Sequence, residues 1–195
     1  MGKDEIDARG HRPPPVRRAP TDAERRALAS SVRLRILRLT IDEALTNREI
    51  AERLGRHPAT TLHHVRTLVD TGFLVAQPVR RGTRGAREIP YRATWLSWWL
   101  TFGDEDGGQA RIMLETFLAE AQAAGLESLR ASRLGLRLRP EEFEEFEERL
   151  QGILDEYAER PPSPDGQPWS LFIGLHPDVG RDGPPSSQAG TEQEE

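Results

Sequence analysis

Residues 46–74 constrain the fold of this chain more than any other stretch, and they read TNREIAERLGRHPATTLHHVRTLVDTGFL. Thr46 and Glu49 have the spacing of a capping box, in which each side chain bonds the other residue's backbone at a helix start. Gly55 suits the end of that helix, because glycine accepts the left-handed conformation found there. Pro58 suits the first position of a following helix, where its missing N–H costs nothing. The segment therefore predicts two short helices joined by a tight turn.

The second of these helices has two distinct faces. One set of positions recurs at helical spacing, and we expect it to face the core. This set consists of Thr61, Leu62, Val65, Leu68 and Val69. At about 100° per residue, a second set falls on the opposite side or its flank: Ala59, Thr60, His63, His64, Arg66 and Thr67. Gly72 is expected to end the helix. The second set is therefore free to meet a ligand.

An arginine-rich hairpin follows directly. Residues 73–81 and 87–94 are predicted as two strands around a turn at residues 82–85, with Arg80, Arg81, Arg84 and Arg87 surrounding that turn. Such a hairpin suits phosphate contact or insertion into a minor groove; alone, it could equally be a solvated hairpin laced with salt bridges. Two helices followed by a basic hairpin are typical of a winged helix-turn-helix, which places its second helix in the major groove of DNA.

This arrangement predicts which side chains meet DNA. Thr60 and Thr67 can contact a thymine methyl or bond either base type. His63 or His64 can bond a guanine or a phosphate, and Arg66 is expected on the backbone. Arg48, on the first helix, and the hairpin arginines complete the expected DNA-binding set, together with Ala59.

Charge is divided unevenly along the 195 residues. Residues 1–95 carry 19 Lys and Arg against 11 Asp and Glu, whereas residues 96–195 carry 8 against 21. Only Lys3 is a lysine, and an arginine-rich composition by itself can reflect a GC-rich genome. A GC-rich genome does not explain why positive charge is concentrated in the first half of the chain and negative charge in the second. This separation favours a nucleic-acid module joined to an acidic partner segment.

Several classes of function are not expected. The chain has no cysteine, which excludes disulfides, thiolate metal sites and cysteine nucleophiles. No run approaches the roughly 20 apolar residues that span a bilayer, and the N-terminus lacks the apolar core of a signal peptide, so we expect a cytoplasmic protein without membrane contact. We find no nucleophile–base pair, phosphate loop or metal cluster, and therefore predict no catalytic residue, no cofactor and no metal.

Adjacent histidines do not make a metal site here. His63 and His64 point about 100° apart on a helix, whereas a helical ligand pair is three or four residues apart. Their protonation would add positive charge on the DNA side, which predicts a mild pH dependence of DNA affinity between pH 6 and 8.

The remaining patterns predict an α+β chain whose helix-turn-helix domain is followed by a small C-terminal α+β domain. Alternating apolar residues at 134–138 and 169–175 predict two strands, and Pro140 begins a long helix with an apolar stripe and a solvated glutamate face. Trp95, Trp98, Trp99 and Phe102 favour packing or dimer contact over a ligand pocket. The expected organisation is a disordered basic arm at 1–20, the DNA-binding domain at 21–95, an aromatic segment and linker at 96–108, the α+β domain at 109–177 and a disordered tail at 178–195.

A family resemblance rests on LASSVRLRILRL at 28–39, NREIAERLG and HPATTLHHVRTLVDTGFLV. Over roughly residues 21–95 the chain resembles the ArsR-type bacterial regulators. The resemblance implies a homodimer that binds a palindromic operator in double-stranded DNA and represses transcription, with the helix from Pro58 to Thr71 as the recognition helix. The absence of cysteine departs from the metal-sensing members, and the chain extends about 100 residues past the hairpin, where a dimerisation or small-molecule effector domain is expected.

Two other functions stay open. A winged helix can serve as a protein-interaction module, because fold does not fix function, and the arginines would then contact an acidic protein. RNA binding is a weaker alternative, since the hairpin offers no aromatic stacking platform.

Overall fold

A computed structural model describes residues 17–82, 85–103 and 107–181 of the chain. These residues fall into two compact units. The winged unit comprises the residues up to Leu129 together with Pro161–Gly166, and the C-terminal unit comprises Arg130–Arg160 together with the residues from Gln167 onwards. The expected arm at 1–16, the middle of the linker at 104–106 and the tail at 182–195 lie outside the described residues.

The winged unit begins with two short helices, α1 (Asp22–Leu28) and α2 (Ser31–Leu39). A capping box begins α1, in which the Glu24 carboxylate accepts from the backbone N–H of Thr21 at 2.7 Å. Ser30 separates the helices with an extended backbone. Both helices contribute to the core, so this region supports the helices that follow.

The helix-turn-helix consists of α3 (Asn47–Leu54) and α4 (Pro58–Asp70). A strand not predicted from the sequence, β1 (Leu45–Thr46), precedes α3. It was missed because two residues are too few to show an alternating pattern.

Four further strands follow α4: β2 (Leu74–Ala76), β3 (Arg80–Arg81), β4 (Arg87–Glu88) and β5 (Pro90–Ala93). Together with β1 they form a three-stranded sheet in the order β1-β5-β2 and a separate two-stranded hairpin of β3 and β4. The two continuous strands expected at 73–81 and 87–94 are therefore wrong in detail. Pro78 lacks the N–H that a ladder requires, and it lies where the first long strand is interrupted.

The core of the winged unit joins α1 to α4 with the sheet. Its fully buried large side chains include Leu28, Ile36, Leu45, Ile50, Val65, Leu68 and Phe73. Trp99 is also buried, and Leu96 and Phe102 pack against the core. The aromatic segment thus contributes to packing, as predicted.

Residues 17–20, expected in a disordered arm, are ordered. Arg18 forms a parallel bridge with Leu100, with backbone bonds of 3.1 Å to Trp99 and 2.8 Å from Thr101. The guanidinium of Arg17 lies 5.1 Å from the ring centre of Trp98 and 5.4 Å from that of Trp99. Aromatic faces far along the sequence therefore order the end of the arm.

The expected linker is shorter than predicted. Leu96–Trp99 forms a 3₁₀ helix, and Gly107–Ala124 forms α5, so the glycine pair at 107–108 is the first turn of a helix. α5 lies against α2, where Arg38 pairs with Glu120 at 3.1 Å. A short 3₁₀ helix, Leu126–Ser128, follows.

The C-terminal unit contains α6 (Pro140–Glu159), which begins at the proline as predicted. The strands expected at 134–138 and 169–175 are wrong for the described structure, because neither segment pairs as a strand. None of the residues described in this unit is buried. Alternation requires a covering layer as well as a pattern, and the residues described in this unit provide no such layer. No helix among the described residues is long and apolar enough to cross a membrane.

Candidate nucleic-acid interface

Local caps fix the geometry of α3 and α4. Glu49 accepts from the backbone N–H of Thr46 at 2.7 Å, and the Thr46 hydroxyl accepts from Glu49 N–H at 3.2 Å. Gly55 closes α3 with φ of 62°, the left-handed conformation predicted for it. The side-chain amide of Asn47 donates to the Pro58 carbonyl at 2.9 Å. The start of α3 is thereby tied to the start of α4.

The two faces of α4 divide as the helical spacing predicted. Thr61, Val65 and Leu68 are buried, while Leu62 and Val69 are half-buried. The expected DNA-facing residues lie on the other side: Ala59, Thr60, His63 and Arg66 are exposed, and His64 and Thr67 are half-buried. This face is available to enter a groove.

The hairpin presents a pair of like charges. Arg81 and Arg87 are directly opposite each other in the β3–β4 ladder, and both are exposed. Neither forms an ion pair with another residue that the structure describes. Like charges facing across a ladder destabilise it, so the pair is favourable only when an anion lies between or beside the two guanidinium groups. Arg84 lies outside the described residues.

Two other predicted DNA contacts are already engaged. Glu88 lies 3.4 Å from Arg48 on α3 and 3.7 Å from Arg80 on the hairpin. Arg80 also pairs with Glu49, the capping residue of α3. We call these four side chains the wing–α3 network. It connects the hairpin to the helix-turn-helix, and it sets Arg48 and Arg80 apart from the unpaired Arg81 and Arg87.

The carboxylates of this network are the functional residues that sequence reasoning missed. Glu49 was interpreted only as a helix cap, and Glu88 was not singled out. Desolvation alone would raise the pKa of Glu49, but hydrogen bonds from Thr46 and Arg80 together lower it below its usual value. The Glu88 side chain also lies over Gly82, where a Cβ would come within 2.2 Å of its carboxyl carbon. Gly82, at the start of the turn, was the sequence signal for this contact, because a side chain there would collide with Glu88.

The histidine pair differs in environment. The ring centres of His63 and His64 are 5.8 Å apart and tilted by 58°, without a shared axis toward one ion. In the described part of the chain, no group of three or more His, Cys, Asp or Glu could hold a metal. Burial lowers the pKa of His64, and the charges of Arg33, His63 and Arg56 lower it further. Its Nδ1 is buried without a hydrogen-bond partner among the described residues.

Comparison with known proteins agrees with this geometry. Residues 28–81 match a family model described as a helix-turn-helix domain. Together with the β3–β4 hairpin, the match establishes a winged helix-turn-helix fold for this part of the chain. No curated protein matches the chain significantly.

Several solved structures have similar coordinates, among them two whose descriptions name a possible transcriptional regulator and a repressor. Reduced HlyU from Vibrio cholerae is 22% identical, with 48% of this chain and 81% of that chain covered and a TM-score of 0.31. The homodimeric winged helix-turn-helix DNA-binding domain of Mb0332 from Mycobacterium bovis, a possible ArsR-family regulator, is 23% identical, with 55% and 82% covered and a TM-score of 0.31. The adhesin competence repressor of Streptococcus pyogenes is 19% identical, with 67% and 83% covered and a TM-score of 0.33. Likenesses of this strength carry no argument about function.

Proposed function

We propose that this chain is a sequence-specific, DNA-binding transcriptional regulator of the ArsR type, acting in the cytoplasm as a homodimeric repressor without a cofactor. In this proposal α4 enters the major groove of double-stranded DNA and the β3–β4 hairpin follows the phosphate backbone. Thr60 and His63 on the exposed face of α4 reach base edges, with Ala59 and Thr67 beside them. Arg66 contacts phosphate.

The observation that carries the proposal is the Arg81–Arg87 pair. Two arginines opposite each other on an exposed hairpin, neither of them in an ion pair with another described residue, cost stability in the free protein. A phosphate backbone supplies the anions that remove this repulsion, and it lies beside the groove that the adjacent helix would occupy. Binding to DNA is the function in which both the exposed α4 face and the charged hairpin are used.

A homodimer accounts for the exposed apolar side of α5. Met113, Leu114 and Leu118 are each 42–46% exposed, and they lie on a helix of the winged unit rather than in its core. In the proposed dimer two such helices pack together, and binding to successive major grooves requires the two copies of α4 to lie about 34 Å apart. Any effector would then act by changing the distance between the two copies of α4.

Binding to duplex DNA across a salt series tests the proposal. We expect the wild type to lose affinity steeply as salt rises, and Arg81→Ala with Arg87→Ala to reduce the slope of log K against log salt by about 0.9 for each lost phosphate contact. The matched control is Arg53→Ala with Arg149→Ala, which removes the same charge away from the hairpin. Thr60→Ala is expected to keep the slope and to lower the preference for the fragment upstream of the chain's own coding sequence.

Two outcomes would contradict the proposal. If the protein binds neither duplex DNA nor the upstream fragment at low salt, the alternative is favoured. In that case the chain is a protein-interaction module whose same arginines contact an acidic partner. An equal loss in the hairpin and control variants would mean that net charge, rather than the Arg81–Arg87 pair, provides the affinity.

A further inference from the structure

Positive charge gathers around His64, on one flank of α4. Arg33 comes from α2, Arg56 from the turn between α3 and α4, and His63 from α4 itself. After burial, the charges of these three residues lower the pKa of His64, and no carboxylate among the described residues acts against them. Three parts of the winged unit therefore bring positive groups to one place. We call Arg33, Arg56 and His64 the His64-flank cluster.

Arg33 has a fixed orientation within this cluster. Its Nε donates to the Ala27 carbonyl, and its Nη2 donates to the Arg26 carbonyl at 2.6 Å. Both carbonyls belong to the last turn of α1, where the helix dipole favours a cation. A guanidinium group carries five N–H donors, so these two bonds leave three donors for another acceptor. The group is thus oriented before any ligand arrives.

No acidic side chain in the described part of the chain neutralises the cluster. Neither Arg33 nor Arg56 forms an ion pair with another residue that the structure describes, and the first turn of α2 contains no acidic residue. The two arginines on α3 differ in this respect, since Arg48 and Arg53 each pair with a glutamate. Positive charge that is gathered without a counter-charge attracts an anionic ligand.

Helical spacing places this cluster across α4 from Arg66. At about 100° per residue, His64 lies about 160° from Arg66 around the helix, and the exposed His63 lies between them. The major groove is about 12 Å wide and admits one helix. A helix in it presents its exposed face to the bases and its two flanks to the phosphates of the two strands. If Arg66 contacts one strand, the His64 flank faces the other.

We infer that Arg33 and Arg56 form a second phosphate-binding site, which contacts the DNA strand across the major groove from Arg66. The inference rests on the proposed function and deepens it, because it assigns backbone contacts to α2 and to the turn before α4. His64 stays uncharged at neutral pH, since its pKa is lowered, so the two arginines supply the charge of the site. Neither arginine was predicted from the sequence, because the site exists only where α2 packs against α4.

Affinity of the full chain for duplex DNA across a salt series tests the inference. Arg33→Gln with Arg56→Gln is expected to reduce the slope of log K against log salt by about 1.8, which is about 0.9 for each lost phosphate contact. The reduction should be the same on random duplex and on the upstream fragment, because phosphate contacts carry no sequence information. The matched control is Arg35→Gln with Arg53→Gln. It removes the same charge from α2 and α3, and Arg35 lies about 200° around α2 from Arg33.

Arg56→Gln alone controls for a folding defect. Arg33 bonds α1, so its substitution can destabilise the winged unit. Arg56 is exposed, and its side chain bonds no other residue that the structure describes. Arg56→Gln should therefore unfold at the same urea concentration as the wild type and still reduce the slope by about 0.9.

Two results would overturn the inference alone. A wild-type slope in both Arg56→Gln and the double variant, with a reduced slope in Arg81→Ala with Arg87→Ala, would show that the hairpin contacts phosphate and the His64-flank cluster does not. An equal reduction in the cluster and control variants would assign the effect to net charge. A wild type that binds no duplex at low salt would instead contradict the proposed function, and the second site with it.

Discussion

Arg80 on the β3–β4 hairpin donates to Glu49, the carboxylate that also caps the N-terminus of α3. One side chain therefore begins a helix of the helix-turn-helix and anchors the hairpin. Glu88 adds a second connection, through Arg48 and Arg80. The orientation of the hairpin relative to α3 is thus set by charged groups at the expected DNA-binding surface, where phosphates would compete for the same arginines.

Glu88→Gln is expected to increase affinity for random duplex DNA. The substitution removes the carboxylate near Arg48 and Arg80, and each arginine released to a phosphate would steepen the salt dependence by about 0.9. Fluorescence anisotropy over a salt series measures both quantities. Glu43→Gln is the control, since it removes a carboxylate 2.6 Å from Arg53 outside the wing–α3 network. Weaker binding by Glu88→Gln, or an equal gain in both variants, would show that Glu88 does not withhold these arginines.

Thr46→Ala is expected to destabilise the winged unit by ~1 kcal/mol, the usual cost of losing an N-cap. Thr46 is buried, and its hydroxyl accepts from the backbone N–H of Glu49, which the alanine would leave unbonded. Urea unfolding gives the difference in free energy of unfolding. Thr60→Ala, on the exposed face of α4, should stay within about 0.5 kcal/mol of wild type. A Thr46→Ala protein as stable as that control would argue that the cap contributes little.

His64 is expected to make the protein less stable in mild acid. Its pKa is lowered in the folded state, first by burial and then by the charges of Arg33, His63 and Arg56. The unfolded chain therefore binds the proton more readily, and stability present above about pH 6.5 is lost as the pH falls through that value. Because the side chain is only half-buried, solvent screening should keep the loss below about 1 kcal/mol.

Comparing the free energy of unfolding at about pH 7.5 and about pH 5.5 isolates this contribution, since these values lie on either side of the ordinary histidine pKa. His64→Gln should show a smaller acid loss than wild type, whereas His63→Gln, which removes one neighbouring charge but leaves His64 buried beside Arg33, should retain most of it. An identical acid loss in all three proteins would assign the effect to other groups. Measuring DNA binding by the same variants separates the effect of pH on stability from the predicted effect of pH on DNA affinity.

Glu24→Gln is expected to cost on the order of 1–3 kcal/mol at neutral pH, the range for hydrogen bonds to charged groups. Arg18 donates to both carboxylate oxygens of Glu24, at 2.8 and 2.6 Å. These bonds from Arg18, opposed by burial and aided by Thr21, lower the pKa of Glu24 to about 2. The stability is therefore complete above the unfolded pKa of about 4.3 and is lost as the pH falls toward 2.

Acid titration of unfolding checks this sign. The wild type should lose stability between about pH 5 and pH 2, and Glu24→Gln should lose less because it starts without the ion pair. Asp22→Asn, at an exposed position of the same helix, is the control. A wild type and a Glu24→Gln variant with parallel acid curves would contradict the assignment.

Local sequence signals predicted the helix-turn-helix well, for a physical reason. A capping box, a glycine with positive φ and a proline at a first helical position act within a few residues, so Thr46, Gly55 and Pro58 could be placed without knowledge of the rest of the chain. The burial of Thr61, Val65 and Leu68 follows from the 3.6-residue period in the same way.

Features that depend on distant partners could not be predicted. Glu88 lies 40 residues from Arg48, and Arg17 lies 81 residues from the Trp98 carbonyl to which it donates. Neither pairing leaves a trace in the local pattern. The strands expected at 134–138 and 169–175 show the converse limit, because alternation identifies a face that should be buried without identifying what buries it.

The bridge between Arg18 and Leu100 has a mechanical consequence. The chain enters the stretch from α1 to β5 at Arg18 and leaves it at Leu100. These two short parallel segments bond each other, with backbone bonds of 3.1 and 2.8 Å and an Arg17 side-chain bond of 2.6 Å to the Trp98 carbonyl. Tension applied through the preceding arm and the following residues would pull these segments in opposite directions, loading all three bonds in shear at once. These three bonds would bear the load before α3 and α4 did. Pulling on the two flanks would therefore leave the shape of the α4 surface unchanged until the three bonds broke.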